Sequence, residues 1–127
     1  MILTLTDLSD ESLQSQIARQ IRAKVLAGEL NAEDSLPSIR GLARDQRISV
    51  ITVQRAYEAL EREGLIHSRR GKGFFVSELT EETKKEMAKG RLAEKLEPEL
   101  KAAMAEGLST DDIRDVLSSL MNGRKGT

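Results

Sequence analysis

The sequence predicts a mostly α-helical fold with one small β-hairpin and a short helical tail. Apolar residues recur at helical spacing in five windows, each bounded by glycine, proline or a capping side chain. One glycine-rich stretch, Arg70-Gly71-Lys72-Gly73, separates two short apolar runs, and the composition shifts to lysine, glutamate, alanine and leucine after Leu79. The 127 residues can hold one compact domain and an appendage of one or two helices. We therefore expect a first domain over residues 1–78 and a helical region over 79–127.

The first predicted helix ends before Gly28, a residue type that commonly terminates helices. Ser12 or Asp10 is the candidate cap at its start, and the polar stretch 31–34 predicts a connection to the next element. The apolar positions recur every fourth residue and are Leu13, Ile17, Ile21 and Val25.

Two further helices follow with almost no chain between them. Pro37 opens a short helix over about 38–46, and Ser49 caps a third helix that stops near Gly64. The buried positions are Ile39, Leu42 and Ala43 in the second helix, and Val53, Ala56, Tyr57 and Leu60 in the third. Two short helices joined by a tight turn, the second apolar on one side, predict a helix-turn-helix.

The runs 65–69 and 74–77 flank the glycine-rich stretch and predict a β-hairpin. A hairpin directly after a three-helix unit is a wing, so the first domain is predicted to be a winged helix-turn-helix. Its turn places positive charge beside glycines that let the backbone approach phosphate or enter the minor groove of DNA. The wing residues expected to contact DNA are Arg69, Arg70, Gly71, Lys72 and Gly73. The alternative is a mobile basic loop.

The third helix, with its apolar face inward, points a second set of residues away from the core. Only the N-terminal turns of such a helix reach base edges. The predicted base-reading residues are Val50, Ile51, Gln54 and Arg55, and those placed for phosphates are Ser49 and Thr52. Gln54 can pair bidentately with adenine, Val50 and Ile51 can meet thymine methyl groups, and Arg55 can bind guanine or phosphate. We therefore expect A·T pairs at the centre of a half-site.

The charge is distributed unevenly along the chain. Although the formal net charge is −1, the stretch 40–72 contains eight lysine or arginine residues against four acids, an excess of +4. Such an excess on one face would attract phosphate whatever the base sequence. By itself, however, the charge favours an ordinary solvated surface over a binding patch.

Residue types that other functions require are absent or isolated. The chain has no cysteine and a single histidine, His67, without an adjacent carboxylate pair, so we expect no catalytic site, metal site or cofactor. Two phenylalanines and one tyrosine are too few for a surface that stacks single-stranded nucleic acid. The longest apolar runs fall far short of the ~20 residues that span a bilayer. These features predict a cytoplasmic, nucleoid-associated protein that does not engage membranes.

The tail predicts two helices. The first covers about 80–106, and Pro98 is expected to kink or divide it. Ser109 and Asp112 fit a capping box for a second helix that ends at Gly123. The residues expected to form a dimer interface, because two thin helices cannot bury them alone, are Met87, Leu92, Leu96, Leu100, Ile113, Leu117 and Leu120. The alternative is that they pack back on the first domain in a monomer.

Several linked motifs occur in order over about residues 12–77. They are Gly28-Glu29-Leu30, Leu36-Pro37-Ser38-Ile39-Arg40 with Leu42-Ala43, Ile48-Ser49-Val50 with Thr52-Val53 and Ala56-Tyr57, Glu63-Gly64-Leu65-Ile66, and Arg70-Gly71-Lys72-Gly73 with Phe75-Val76. Together they resemble the GntR family of bacterial regulators, and the short tail looks like the YtrA subfamily. The resemblance implies a winged helix-turn-helix repressor in which Ser38 and Arg40 contact DNA, the helix from Ser49 reads the major groove and Arg70-Gly71 enters the minor groove. The chain departs from the family pattern at Gly41, Arg47 and Phe74.

The predicted function is a sequence-specific regulator, a repressor by resemblance, that binds a palindromic operator in double-stranded DNA as a homodimer. A single reading helix contacts too few base pairs to select one genomic site, so duplication by symmetry is expected. The alternative is a winged-helix adaptor that binds protein and not DNA. The tail is too small for a pocket of ~300 Å³ unless a dimer encloses one, so the sequence leaves any small-molecule effector unidentified.

Overall fold

The computed structural model describes residues 1–126, with side chains up to residue 123. Within this range the elements are α1 (Leu13–Leu26), α2 (Ile39–Gln46), α3 (Val50–Arg62), β1 (Ile66–Arg69), β2 (Gly73–Val76), α4 (Glu81–Ala105) and α5 (Thr110–Gly126). The predicted mostly helical fold with a small hairpin is confirmed. The chain forms two compact units, Met1–Lys85 and a second that begins at Glu86.

The core of the first unit lies between α1, α3 and the hairpin. Its largest fully buried apolar side chains are Tyr57, Ile17, Ile21, Leu60, Leu65 and Ile66. Each such side chain contributes roughly 1.5–3 kcal/mol relative to an exposed one. The burial predicted for α1 and α3 is confirmed except at Leu13, which is only half-buried at the start of α1.

An ion pair fixes α1 to the end of α3. Arg22, 9% exposed, donates two hydrogen bonds to the carboxylate of Glu63, at 2.7 and 2.6 Å. A bidentate pair of this kind sets orientation as well as distance. The frame that carries α3 is therefore held by polar contacts in addition to the core.

The first ten residues form an arm along α1 that the sequence did not predict. The side-chain amide of Gln16 accepts from the Thr6 N–H at 3.0 Å and donates to the Thr6 carbonyl at 2.8 Å. Gln20 makes the same pair of bonds with Thr4, at 2.9 and 2.7 Å. Two amides spaced four residues apart on one helix face thus replace the backbone partners that a neighbouring strand would supply.

The connection between α1 and α2 also carries backbone hydrogen bonds to the hairpin. Glu33 N–H donates to the Val76 carbonyl at 2.8 Å, Val76 N–H to the Asp34 carbonyl at 2.9 Å, and Leu36 N–H to the Phe74 carbonyl at 2.9 Å. The polar connection predicted for 31–34 is therefore followed by a third extended segment beside β2, where Ser35 forms an antiparallel bridge with Phe75.

The two tail helices differ from prediction at one helix end. Of the two outcomes expected at Pro98, a kink or a division, the structure excludes the division: Pro98 lies inside α4, because an exposed proline forfeits one backbone bond while the rest of the helix persists. The capping box at Ser109 and Asp112 is confirmed by reciprocal bonds of 2.9 and 3.1 Å. The predicted stop at Gly123 is wrong, since α5 continues to Gly126; Gly123 does not adopt the left-handed conformation that ends a helix.

Candidate nucleic-acid interface

Helix α3 has one buried and one exposed face. The buried face, with no solvent exposure, consists of Val53, Ala56, Tyr57 and Leu60. The exposed face near the N-terminus consists of Val50, Ile51, Gln54 and Arg55. Val50 and Ile51 expose 44% and 56% of their surface, and Thr52 lies half-buried beside them. The predicted orientation of the helix is confirmed, and base contact by the exposed face stays a prediction.

Serine hydroxyls cap the two helices of the helix-turn-helix. Ser49 Oγ accepts from the N–H of Ile51 at 3.1 Å, and Ser38 Oγ accepts from the N–H of Gly41 at 3.0 Å. A hydroxyl that accepts such a bond keeps its own proton and can donate it to a phosphate oxygen. Both serines and Arg40 are exposed, so these three predicted contact residues are accessible.

Tyr57 joins α3 to the start of α2 and to the wing. Its hydroxyl donates to the carbonyl of Pro37 at 2.8 Å, and its ring meets Phe74 edge-on with centroids 5.1 Å apart. Burial raises the pKa of the Tyr57 hydroxyl well above its usual range, so the group stays a neutral donor. One side chain of α3 thus holds the start of α2, where Ser38 is the cap, and the wing.

The turn of the hairpin presents two cationic side chains to solvent. Lys72 N–H donates to the Arg69 carbonyl at 2.9 Å, and Gly71 and Gly73 have φ angles of 75° and 101°. These left-handed conformations strain any other residue, although added side chains would meet no atom within 4 Å. Arg70 and Lys72 are exposed, and neither is ion-paired within the part of the chain that the structure describes. The turn therefore offers its charge outward.

Arg69, also predicted to contact DNA, is held at the base of the wing. Its guanidinium pairs with the carboxylate of Glu33 and lies 4.8 Å from the ring centroid of Phe75. His67 Nε2 is 3.6 Å from the same carboxylate, and His67 Nδ1 is 3.2 Å from Ser77 Oγ. The Arg69 side chain remains 49% exposed. It is positioned by protein contacts before any DNA arrives, in contrast to Arg70 and Lys72.

The second unit exposes much of its apolar surface. Among the residues predicted for a dimer interface, Leu92 and Leu120 are 59% and 61% exposed. The half-buried ones are Met87, Leu96, Leu100, Ile113 and Leu117. The last four of these line a cavity of about 150 Å³ between α4 and α5. Pairing of two chains through this surface stays a prediction.

Sequence reasoning missed three residues that contribute to this architecture. Glu33 lies in a polar connection and pairs with a residue 36 positions away, so no local pattern indicates its role. Gln16 and Gln20 do leave a signal, because their i, i+4 spacing puts two amides on one helix face. That spacing alone does not reveal which segment the amides would hold.

A helix-turn-helix with an exposed second helix, followed by a basic hairpin, defines a winged helix-turn-helix protein. Among the described residues, no three side chains of metal-binding type come together. None of the helices seen in the structure has the length and apolar character needed to cross a membrane.

Comparison with known proteins specifies the family. The model of the bacterial regulatory proteins of the gntR family matches residues 13–76, half of the chain. The chain therefore belongs to the GntR family of DNA-binding transcription regulators.

The similarity to individual relatives extends through the tail. The chain is 30% identical over 118 residues to the uncharacterized HTH-type transcriptional regulator YhcF of Bacillus subtilis, covering 91% of this chain and 94% of that protein. It is also 30% identical over 118 residues to the HTH-type transcriptional repressor YtrA of the same organism, with 93% and 91% coverage. The structure of YtrA from Sulfolobus acidocaldarius, a GntR-family transcription factor, matches with a TM-score of 0.58 at 29% identity, covering 95% of this chain and 97% of that one. The resemblance to the GntR family and its YtrA-like members is confirmed.

Proposed function

We propose that this chain is a repressor that binds a palindromic operator as a homodimer, with α3 in the major groove and the wing in the minor groove. The observation that carries the proposal is the exposed N-terminal face of α3, which combines apolar, amide and guanidinium groups on a helix whose opposite face is buried. A protein with this function acts in the cytoplasm, at the nucleoid.

The exposed face of α3 has the chemistry for reading A·T pairs. Gln54 can donate to adenine N7 and accept from adenine N6, while Val50 and Ile51 can contact thymine methyl groups. Arg55, one position further, can bind either guanine or phosphate. Ser49 and the half-buried Thr52 lie at the border of this face, where groove-edge phosphates would pass.

Selection of binding sites from a random duplex library tests this assignment. We expect two half-sites in inverted order with A·T pairs opposite Gln54. Gln54→Ala should relax the preference at that position and cost about 1–3 kcal/mol of binding free energy. Gln14→Ala, the same chemical change on α1, is the matched control and should leave selection unchanged. G·C pairs at every position opposite Gln54 would contradict the assignment.

A salt series separates DNA binding from the adaptor alternative. Neutralisation of phosphates by Arg40, Arg70 and Lys72 predicts a steep fall of duplex affinity with rising salt concentration. An adaptor that binds protein alone would not bind random duplex even at low salt.

A small-molecule effector is not assigned. The cavity between α4 and α5 measures about 150 Å³ and is lined by apolar side chains, whereas drug-sized ligands need ~300 Å³ or more.

A further inference from the structure

Arg47, in the turn between α2 and α3, has a backbone conformation that normally favours glycine. Its φ and ψ angles are 57° and 48°, and its N–H bonds the carbonyls of Ala43 and Arg44 as the cap of α2. In this left-handed region the Cβ atom crowds the adjacent carbonyl, which is why glycine is preferred at helix C-termini. A strained residue that the fold does not require points to a use for its side chain.

The guanidinium of Arg47 is not used inside the protein. The side chain is exposed and makes no ion pair within the described residues. By contrast, Arg22 is engaged with Glu63, and Arg69 with Glu33. Stabilisation of the native fold therefore does not account for the charge at Arg47.

Arg47 lies beside the part of α3 that is proposed to meet phosphates. It lines an open cavity of about 460 Å³ together with Ser49 and Thr52. On the other side the cavity is bordered by the N-terminal arm, including Asp7. The cation is thus placed where the DNA backbone would pass the first turn of the reading helix.

We propose that Arg47 binds an operator phosphate beside the N-terminus of α3, and that this contact explains an arginine in a left-handed turn. The inference rests on the proposed function and adds to it a phosphate contact in the turn of the helix-turn-helix. A charge-assisted bond to phosphate strengthens binding at every base sequence and does not alter base preference.

Two variants, Arg47→Gly and Arg47→Lys, test the proposal. Their affinity for duplex DNA is measured across a salt series. Glycine removes the charge and also relieves the backbone strain of the left-handed turn. Because of that relief, we expect the melting temperature to rise by a few degrees. Duplex affinity at low salt should fall about tenfold, and the slope of log K against log salt should lose about one unit for each half-site. Lysine keeps the charge and should keep the wild-type slope. Lys101→Gln, a charge removal on exposed α4, is the control and should change neither the duplex affinity nor its salt slope.

Asp7 provides the competing explanation, in which Arg47 offsets a nearby carboxylate. In that case Arg47→Gly would lower the melting temperature in the wild-type chain and not in an Asp7→Asn background, which would overturn the proposal. If the unmodified chain binds duplex and Arg47→Gly keeps the same salt slope, the Arg47 proposal is overturned while the proposed function stands. Failure of the unmodified chain to bind duplex at low salt would overturn the proposed function, and this inference with it.

Discussion

At the scale of single residues, Tyr57 makes stability depend on pH in the alkaline range. The buried hydroxyl donates to Pro37, and burial raises its pKa. An unfolded tyrosine loses its proton at about pH 10, whereas the folded chain holds the proton to higher pH. The unfolded state then binds fewer protons, so the free energy of unfolding should be steady below about pH 10 and fall above it.

Denaturant unfolding between neutral and alkaline pH measures this effect, with Tyr57→Phe as the reference. The variant should lose about 1 kcal/mol at neutral pH, because the Pro37 carbonyl loses its donor, and should show a weaker alkaline decline. The chain has one tyrosine, so tyrosinate absorbance reports Tyr57 alone. Tyrosinate forming near pH 10 while the circular dichroism stays native would contradict the prediction.

Residue environments were predictable where they follow from a local period. The spacing of Val53, Ala56 and Leu60 gives the buried face of α3, and the exposure of Ile51 and Gln54 follows from the same rotation. Ion pairs between distant residues have no such period. The contacts of Arg69 with Glu33 and of Arg22 with Glu63 depend on how the helices and hairpin pack, so a one-dimensional pattern does not contain them.

At the scale of elements, a single carboxylate contacts two side chains of the wing. Glu33 has a φ of 68°, a left-handed conformation, and its side chain holds both Arg69 and His67. The same carboxylate places negative charge beside a hairpin proposed to approach phosphates. We therefore expect this carboxylate to stabilise the wing and to weaken the proposed attraction of the wing for DNA.

Glu33→Gln should accordingly raise duplex affinity severalfold and steepen its salt dependence by up to one unit per half-site, because Arg69 becomes available to phosphate. In an Arg69→Gln background the same change should give a much smaller gain, which a double-mutant cycle measures. Equal gains in both backgrounds would mean that Arg69 is not the residue released.

Elements were predictable where a hydrophobic period spans several turns. The bounds of α1, α2 and α3 lie within one or two residues of those read from caps and spacing. The arm that carries Thr4 and Thr6 and the segment from Glu33 to Leu36 were missed. The backbone of the arm is held by glutamine side chains and that of the segment by the backbone of β2, with few buried apolar residues to mark either one.

At the scale of the whole molecule, the apolar surface of the second unit requires an explanation. Leu92 on α4 is 59% exposed and Leu120 on α5 is 61% exposed. Both leave apolar area in water that a symmetry mate could bury. Two reading helices in one particle would also supply the affinity that a single half-site cannot. The proposed pairing of chains would therefore also supply the proposed recognition of a palindrome.

The double variant Leu92→Glu/Leu120→Glu tests whether this surface pairs two chains. It leaves intact the α4–α5 cavity, whose lining includes Leu96 and Leu117. Because both substituted side chains are largely exposed, helicity should persist while sedimentation shows a monomer. Operator affinity should fall by about 100-fold or more, since the second half-site is no longer bound at high effective concentration.

Ser118→Glu, an exposed position of α5, controls for added charge and should remain dimeric. A double variant that stays dimeric with native helicity would place the interface on another surface. A monomeric variant with undiminished operator affinity would separate dimerisation from DNA recognition.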